Sequence, residues 1–69
     1  MPNSTYHVVE LIGSSSESWE LAAQNAVKEA ATTYADLRVA EVVEMDVLIE
    51  HGAVIAYRTK LRLSYKGAA

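Results

Sequence analysis

The sequence contains no cysteine, so it has no disulfide, no thiolate metal cluster and no thiol nucleophile. No apolar run approaches the roughly 20 residues needed to span a bilayer. The opening Met-Pro-Asn-Ser-Thr has neither the basic nor the apolar region of a signal peptide, so the expected chain is soluble and cytoplasmic, with no membrane partner. An excess of positive charge is missing too: six basic residues face nine acidic ones, for a net charge of −3. That balance argues against a nucleic-acid partner, because phosphate-binding surfaces are usually net basic. Sixty-nine residues permit one domain, residues 1–69, and a core too small to be secure alone. With no disulfide available, oligomerisation is the expected staple.

What is present is a pattern of strands around one helix. Residues 6–12 (YHVVELI) are β-branched and aromatic and run into Gly13, so the pattern predicts a first strand ending there. Both of its faces are partly apolar, which suits a strand covered on two sides. Ser14, Ser15 and Ser16 supply capping hydroxyls, with Ser14 and Glu17 at capping-box spacing and Ser15 the other candidate cap. A helix is predicted from there to about Ala35. Its apolar stripe is Trp19, Ala23, Ala26, Val27, Ala30 and Tyr34, and the many alanines predict a close approach of helix to sheet.

Residues 38–49 and 53–65 alternate with period two, which predicts two half-buried strands far longer than the usual ~5–6 residues. Odd positions are apolar, and Glu41 is the exception among them. Even positions carry Arg38, Glu44 and Asp46, then Arg58, Lys60 and Arg62. For the apolar faces to coincide, the loop must be odd in length, so Glu50-His51-Gly52 is expected as a three-residue turn. That register sets Glu44 opposite Arg58, Met45 opposite Tyr57 and Val47 opposite Ile55. The predicted fold class is α+β: β-α-β-β, a three-stranded antiparallel sheet wrapped on one helix. One helix cannot cover strands so long, and the sheet faces and edges left open must be met by other copies.

Few residues suggest catalysis. His7 and His51 have no serine or carboxylate at triad spacing, the serine run is explained by capping, and Gly13-Ser-Ser-Ser lacks the further glycines and the lysine of a phosphate loop. An enzyme is not expected. Trp19 reads as core packing or as a stacking platform. Arg58, Lys60 and Arg62 form either a solvated, salt-bridged face or a wall for an anion. Glu44 and Asp46 project on the same side and are candidate ligands for a divalent cation, the competing reading being cross-strand pairing with Arg58 and its neighbours. Calcium needs more oxygens than two carboxylates supply, and symmetry could provide them.

The segment YHVVELIGSS, the alanine pairs at 22–23 and 30–31, Val39-Ala-Glu-Val42, Gly52 in the turn and the closing KLRLSYK together resemble the dodecin family over residues 5–66. The resemblance implies a hollow homododecamer with helices outside, binding a small ligand without chemistry. Dodecins typically hold flavins in stacked pairs between a tryptophan opening the second strand and a glutamine on the third. The matching positions here are Val39 and Arg58, which become the candidate cofactor-binding residues. Valine offers no stacking face, arginine cannot accept a hydrogen bond as glutamine can, and Asp46 stands where flavin-binding members tend to be basic. The sequence is more similar to the flavin-poor branch that shares a helix tryptophan and Arg38-Val-Ala, for which calcium has been proposed. The expected ligand is therefore a divalent cation such as calcium at Glu44 and Asp46. A flavin (FMN, riboflavin or FAD) and a structural assembly without specific ligand are the alternatives.

Overall fold

The computed structural model describes residues 5–66. Four elements follow in order: β1 (Tyr6–Ser15), α1 (Trp19–Ala31), β2 (Leu37–Glu50) and β3 (Ala53–Lys66). The strands form one antiparallel sheet in the order β1-β3-β2, with α1 against one face. This is the α+β arrangement expected from the periodicities, with β3 in the centre.

β1 does not stop at Gly13. Pairing with β3 continues through Gly13 opposite Thr59, Ser14 opposite Arg58 and Ser15 opposite Tyr57. The serines are therefore strand residues, and neither Ser14 nor Ser15 is the helix cap. Ser15 instead makes the turn, its Oγ accepting from the Glu17 amide at 2.9 Å. The cap is Ser18, in extended conformation, its Oγ accepting from the Leu21 amide at 3.0 Å. The helix closes four residues earlier than expected, where the β-branched pair Thr32-Thr33 follows Ala31 and the Thr33 and Tyr34 amides both donate to the Ala30 carbonyl.

Gly13 explains how the helix sits. A β-carbon there would overlap the Ala22 carbonyl oxygen and lie 2.9 Å from the Ala26 methyl. The buried row of α1 is Ala22, Ala26 and Ala30, so the predicted stripe shifts to take in Ala22. Small residues at four-residue spacing bring the helix axis down onto the strand, and Leu61 and Leu63 fill the remaining core with Val9 and Leu11 packed beside them. Thr59 is buried at 1% exposure, its Oγ1 donating to the Trp19 carbonyl at 3.0 Å. That bond satisfies a hydroxyl that would otherwise cost stability in the core.

The β2–β3 turn differs from the expected one. Glu50 pairs directly with Ala53, leaving only His51 and Gly52 in the loop, both with positive φ (52° and 78°). Positive φ at both central residues marks the two-residue turn whose twist suits a hairpin. Parity is instead corrected by a bulge at Ile55, after which Val47 faces Tyr57, Met45 faces Thr59, Asp46 faces Arg58 and Glu44 faces Lys60. The predicted pairings are thus displaced by two residues, while odd still faces odd in this stretch. A second bulge at Val43 reverses parity again: Val42 faces Leu61, Ala40 faces Leu63 and Glu41 faces Arg62. Glu41 is therefore no exception on the apolar face. It lies on the opposite, charged face, with Val39 two residues before it.

Candidate functional site

The face of the sheet turned away from α1 gathers the charged residues of all three strands. β1 contributes Glu10, β3 contributes Arg58, Lys60 and Arg62, and β2 contributes Glu41, Glu44 and Asp46, because each shares a register row with the others. We refer to it as the open face.

Its rows are connected by ion pairs. Arg62, on the central strand, reaches both edges: its Nη2 lies 3.0 Å from Glu10 Oε2 and its Nη1 3.4 Å from Glu41 Oε1. Lys60 Nζ stands 3.8 Å from the other Glu10 oxygen. Arg58 binds Asp46 with two parallel bonds, Nε to Oδ1 and Nη2 to Oδ2, both 2.7 Å. That fork is the strongest geometry available to an arginine and a carboxylate. Arg58's hydrogen bonds, with its charge adding to them, hold the Asp46 carboxyl below its ordinary value despite partial desolvation. The same bonds raise the Arg58 guanidinium further above its own. The pair is exposed to solvent, so its contribution to stability is small.

Every basic residue of β3 on this face between 58 and 62 thus has a carboxylate partner, leaving no free cationic wall for an anion. Glu44 is the contrasting case: it makes no ion pair among the described residues, because Lys60, opposite it, turns toward Glu10. Cross-strand pairing exists as expected, but Asp46 rather than Glu44 is Arg58's partner.

The candidate residues fall in two places. Glu44, Asp46 and Arg58 lie together, near the end of the sheet where β1 finishes. Val39 is remote from them. It pairs with Ser64, six residues from Arg58 along β3, or about 20 Å at strand spacing. Val39 is 61% exposed, and it does not share a pocket with Arg58 among the described residues. No group of three or more histidine, aspartate or glutamate side chains is placed to hold a metal among the described residues. One chain offers a cation two carboxylates, one of them engaged by arginine, so the remaining oxygens must come from water or another copy.

Trp19 has a role that neither sequence reading contained. Its ring packs edge-on against Tyr57 with centroids 5.1 Å apart, and its Nε1 donates to the Asp46 carbonyl at 3.0 Å. Asp46 is therefore tied from both sides of the sheet, by its carboxylate to Arg58 and by its carbonyl to the first residue of α1. Thr59 then binds the Trp19 carbonyl, so one chain of contacts runs from the core to the open face. The sequence signal was Thr59, a lone polar residue among the odd, apolar positions of β3. Among the described residues, no helix is long and apolar enough to cross a membrane.

Comparison with known proteins places this geometry in a group. A family model described as Dodecin matches residues 5–67. Calcium dodecin from Mycobacterium tuberculosis is 44% identical over 63 residues, covering 91% of this chain and 89% of that protein. Its crystal structure, described as a calcium-chelating antigen with a calcium-binding site, matches at TM-score 0.84 and 42% identity, over 94% of this chain and 93% of that one. Dodecin from Streptomyces coelicolor matches at TM-score 0.94 and 33% identity, over 100% and 99% of the two chains.

Proposed function

The chain belongs to the dodecin family, and from that premise we propose that it is a cytoplasmic, non-enzymatic shell, one domain per chain. In this reading it assembles as a hollow homododecamer and sequesters a divalent cation, calcium being favoured. The observation that carries the ligand class is the charge accounting of the open face. The basic side chains at 58, 60 and 62 are already paired, whereas the Glu44 carboxylate makes no direct ion pair among the described residues and feels only the charge of Arg58 nearby. A face of that kind offers oxygens, not free donors. Glu44 would bind first, and Asp46 would join by exchanging Arg58 for the cation, with further oxygens from water or symmetry-related copies. Similarity to a calcium dodecin supports the same choice.

The flavin reading is less well supported. Val39 presents no ring to stack on, and Arg58 directs two of its donors into Asp46. Isothermal titration of the purified assembly with calcium, and separately with riboflavin and FMN, tests the proposal. Saturable calcium binding that is lost in Glu44→Gln/Asp46→Asn is the expected result. Flavin binding without calcium binding would overturn it, and neither ligand binding would leave the assembly as the functional object.

A further inference from the structure

The rows of Arg58, Lys60 and Arg62 on the open face hold four carboxylates, Glu10, Glu41, Glu44 and Asp46, against three cations. Lys60 and Arg62 converge on Glu10, and Arg62 also reaches Glu41, so these side chains form one connected set. Asp46 and Arg58 form another, closed by two bonds of 2.7 Å. Glu44 belongs to neither. It stands two residues from Asp46 on the same strand face, with the Cα atoms about 7 Å apart, and Arg58 is the cation whose charge it feels. The carboxylate pair that a metal ion would bridge therefore already has a resident cation, a guanidinium shared unequally between its two members.

Asp46 does not depend on Arg58 for its position. Its carbonyl accepts from Trp19 Nε1 at 3.0 Å, and Trp19 is braced edge-on by Tyr57 and by the bond from Thr59 to its own carbonyl. Behind β2 lies an apolar groove beside α1, walled by Ala40, Val42 and Met45, which gives neither carboxylate a polar alternative on that side. The fork itself is accessible, with 37% of the Arg58 side chain and 48% of the Asp46 side chain exposed, so it can open without disturbing the core. Opening it is favourable only for an ion that returns more than the guanidinium supplied. A monovalent ion brings the same charge and forfeits the two parallel bonds. A divalent ion brings twice the charge, with a Coulomb attraction that scales accordingly, and recruits Glu44 as well.

We propose that Arg58 sets the charge selectivity of this site: its guanidinium keeps monovalent cations from the Glu44–Asp46 pair and yields only to a divalent one. The inference rests on the cation-binding reading above and adds the residue that decides which ions are admitted. Arg58 acts by competing for Asp46, not by touching the cation. Trp19 is a positioning residue, keeping Asp46 in place while its carboxylate changes partner. The same competition holds calcium affinity below what two free carboxylates at this spacing would give.

Isothermal titration of calcium into the purified protein tests it, run at equal ionic strength in potassium chloride and in tetramethylammonium chloride, whose bulky cation cannot be coordinated. The unaltered protein is expected to bind calcium equally in the two salts. Arg58→Gln is expected to bind calcium about tenfold more tightly than the unaltered protein in tetramethylammonium, and several-fold more weakly in potassium than in tetramethylammonium. Arg58→Lys keeps the charge without the fork and should fall between them. Circular dichroism and native mass spectrometry check that both variants keep fold and assembly. A calcium affinity unchanged or weakened in Arg58→Gln, in a protein whose binding is lost in Glu44→Gln/Asp46→Asn, would overturn the role of Arg58 and leave the cation site standing. Calcium binding by neither the unaltered protein nor the Arg58 variants would overturn the site and this role together.

Discussion

Gly13→Ala separates two effects of opposite sign. Gly13 does not have a positive φ, so alanine is conformationally allowed there. Restricting the unfolded chain would by itself stabilise the protein by about 0.4–1 kcal/mol. The added methyl, however, meets the Ala22 carbonyl oxygen and sits 2.9 Å from the Ala26 methyl. The first obstacle is helix backbone and cannot rotate aside, so α1 must lift from β1, which places the cost near the upper end of the ~1–3 kcal/mol for overpacking. The net loss is about 2 kcal/mol, and at roughly 4–8 °C per kcal/mol the melting temperature should fall by about 8–16 °C. The assay is thermal unfolding by circular dichroism at fixed protein concentration, because assembly couples to stability. Adding Ala26→Gly should not rescue the variant, since it relieves only the methyl contact and costs ~1 kcal/mol in the helix. Gly52→Ala is the control: φ is +78° with nothing within 4 Å, so its penalty is conformational alone. A melting temperature that rises in Gly13→Ala would refute the argument, because it would show the chain-entropy effect acting without the clash.

Two further predictions concern the links to Asp46. Because its pKa is lowered on folding, the Arg58 pair contributes stability above the ordinary carboxyl value of 3.8 and loses it as pH falls through the lower folded value. Asp46→Asn should therefore flatten the acid limb of a melting-temperature profile below about pH 4, and a superimposable limb would count against the fork. Trp19→Phe keeps a ring against Tyr57 but removes the 3.0 Å bond to the Asp46 carbonyl, and should lower the urea midpoint by an amount worth ~0.5–1.5 kcal/mol. A midpoint equal to that of the unaltered protein would show that the indole N–H contributes nothing.

The element order was legible because each element carries its own period. Alanines on one side of residues 19–31 and alternation over 38–49 and 53–65, interrupted at Glu41, specify helix and strands without tertiary help. The boundaries at Ser15 and Ala31 were not. Ser14 has good capping chemistry, yet pairing opposite Arg58 holds it in the strand, and that pairing is a contact 44 residues away. Ala26 and Ala30 are buried as expected, with Ala23, Val27 and Tyr34 packed beside them, but Ala22 was missed for a related reason. Ala22 is covered only because Gly13 lets the two backbones approach, which no helical projection of the sequence contains.

Register decided how much of the candidate site could be read. The two-residue turn and the bulges at Ile55 and Val43 each reverse parity, and their joint effect is invisible to a period-two count. With the Ile55 bulge, Glu44 and Asp46 keep their common face but exchange opposing residues, so Arg58 is spent on Asp46 and Glu44 is left unmatched. With the Val43 bulge, Glu41 and Val39 move onto that same face. Without it, Glu41 would sit against the apolar groove, and Arg62 would lose the acceptor on β2 that lets it join both edges of the sheet. A single extra residue in β2 thus does two things at once. It keeps carboxylates out of the groove beside α1, leaving Ala40 and Val42 to line it, and it concentrates charge on the open face. The apolar surface and the acidic surface are consequences of the same irregularity, so shifting the Val43 bulge would be expected to damage both together.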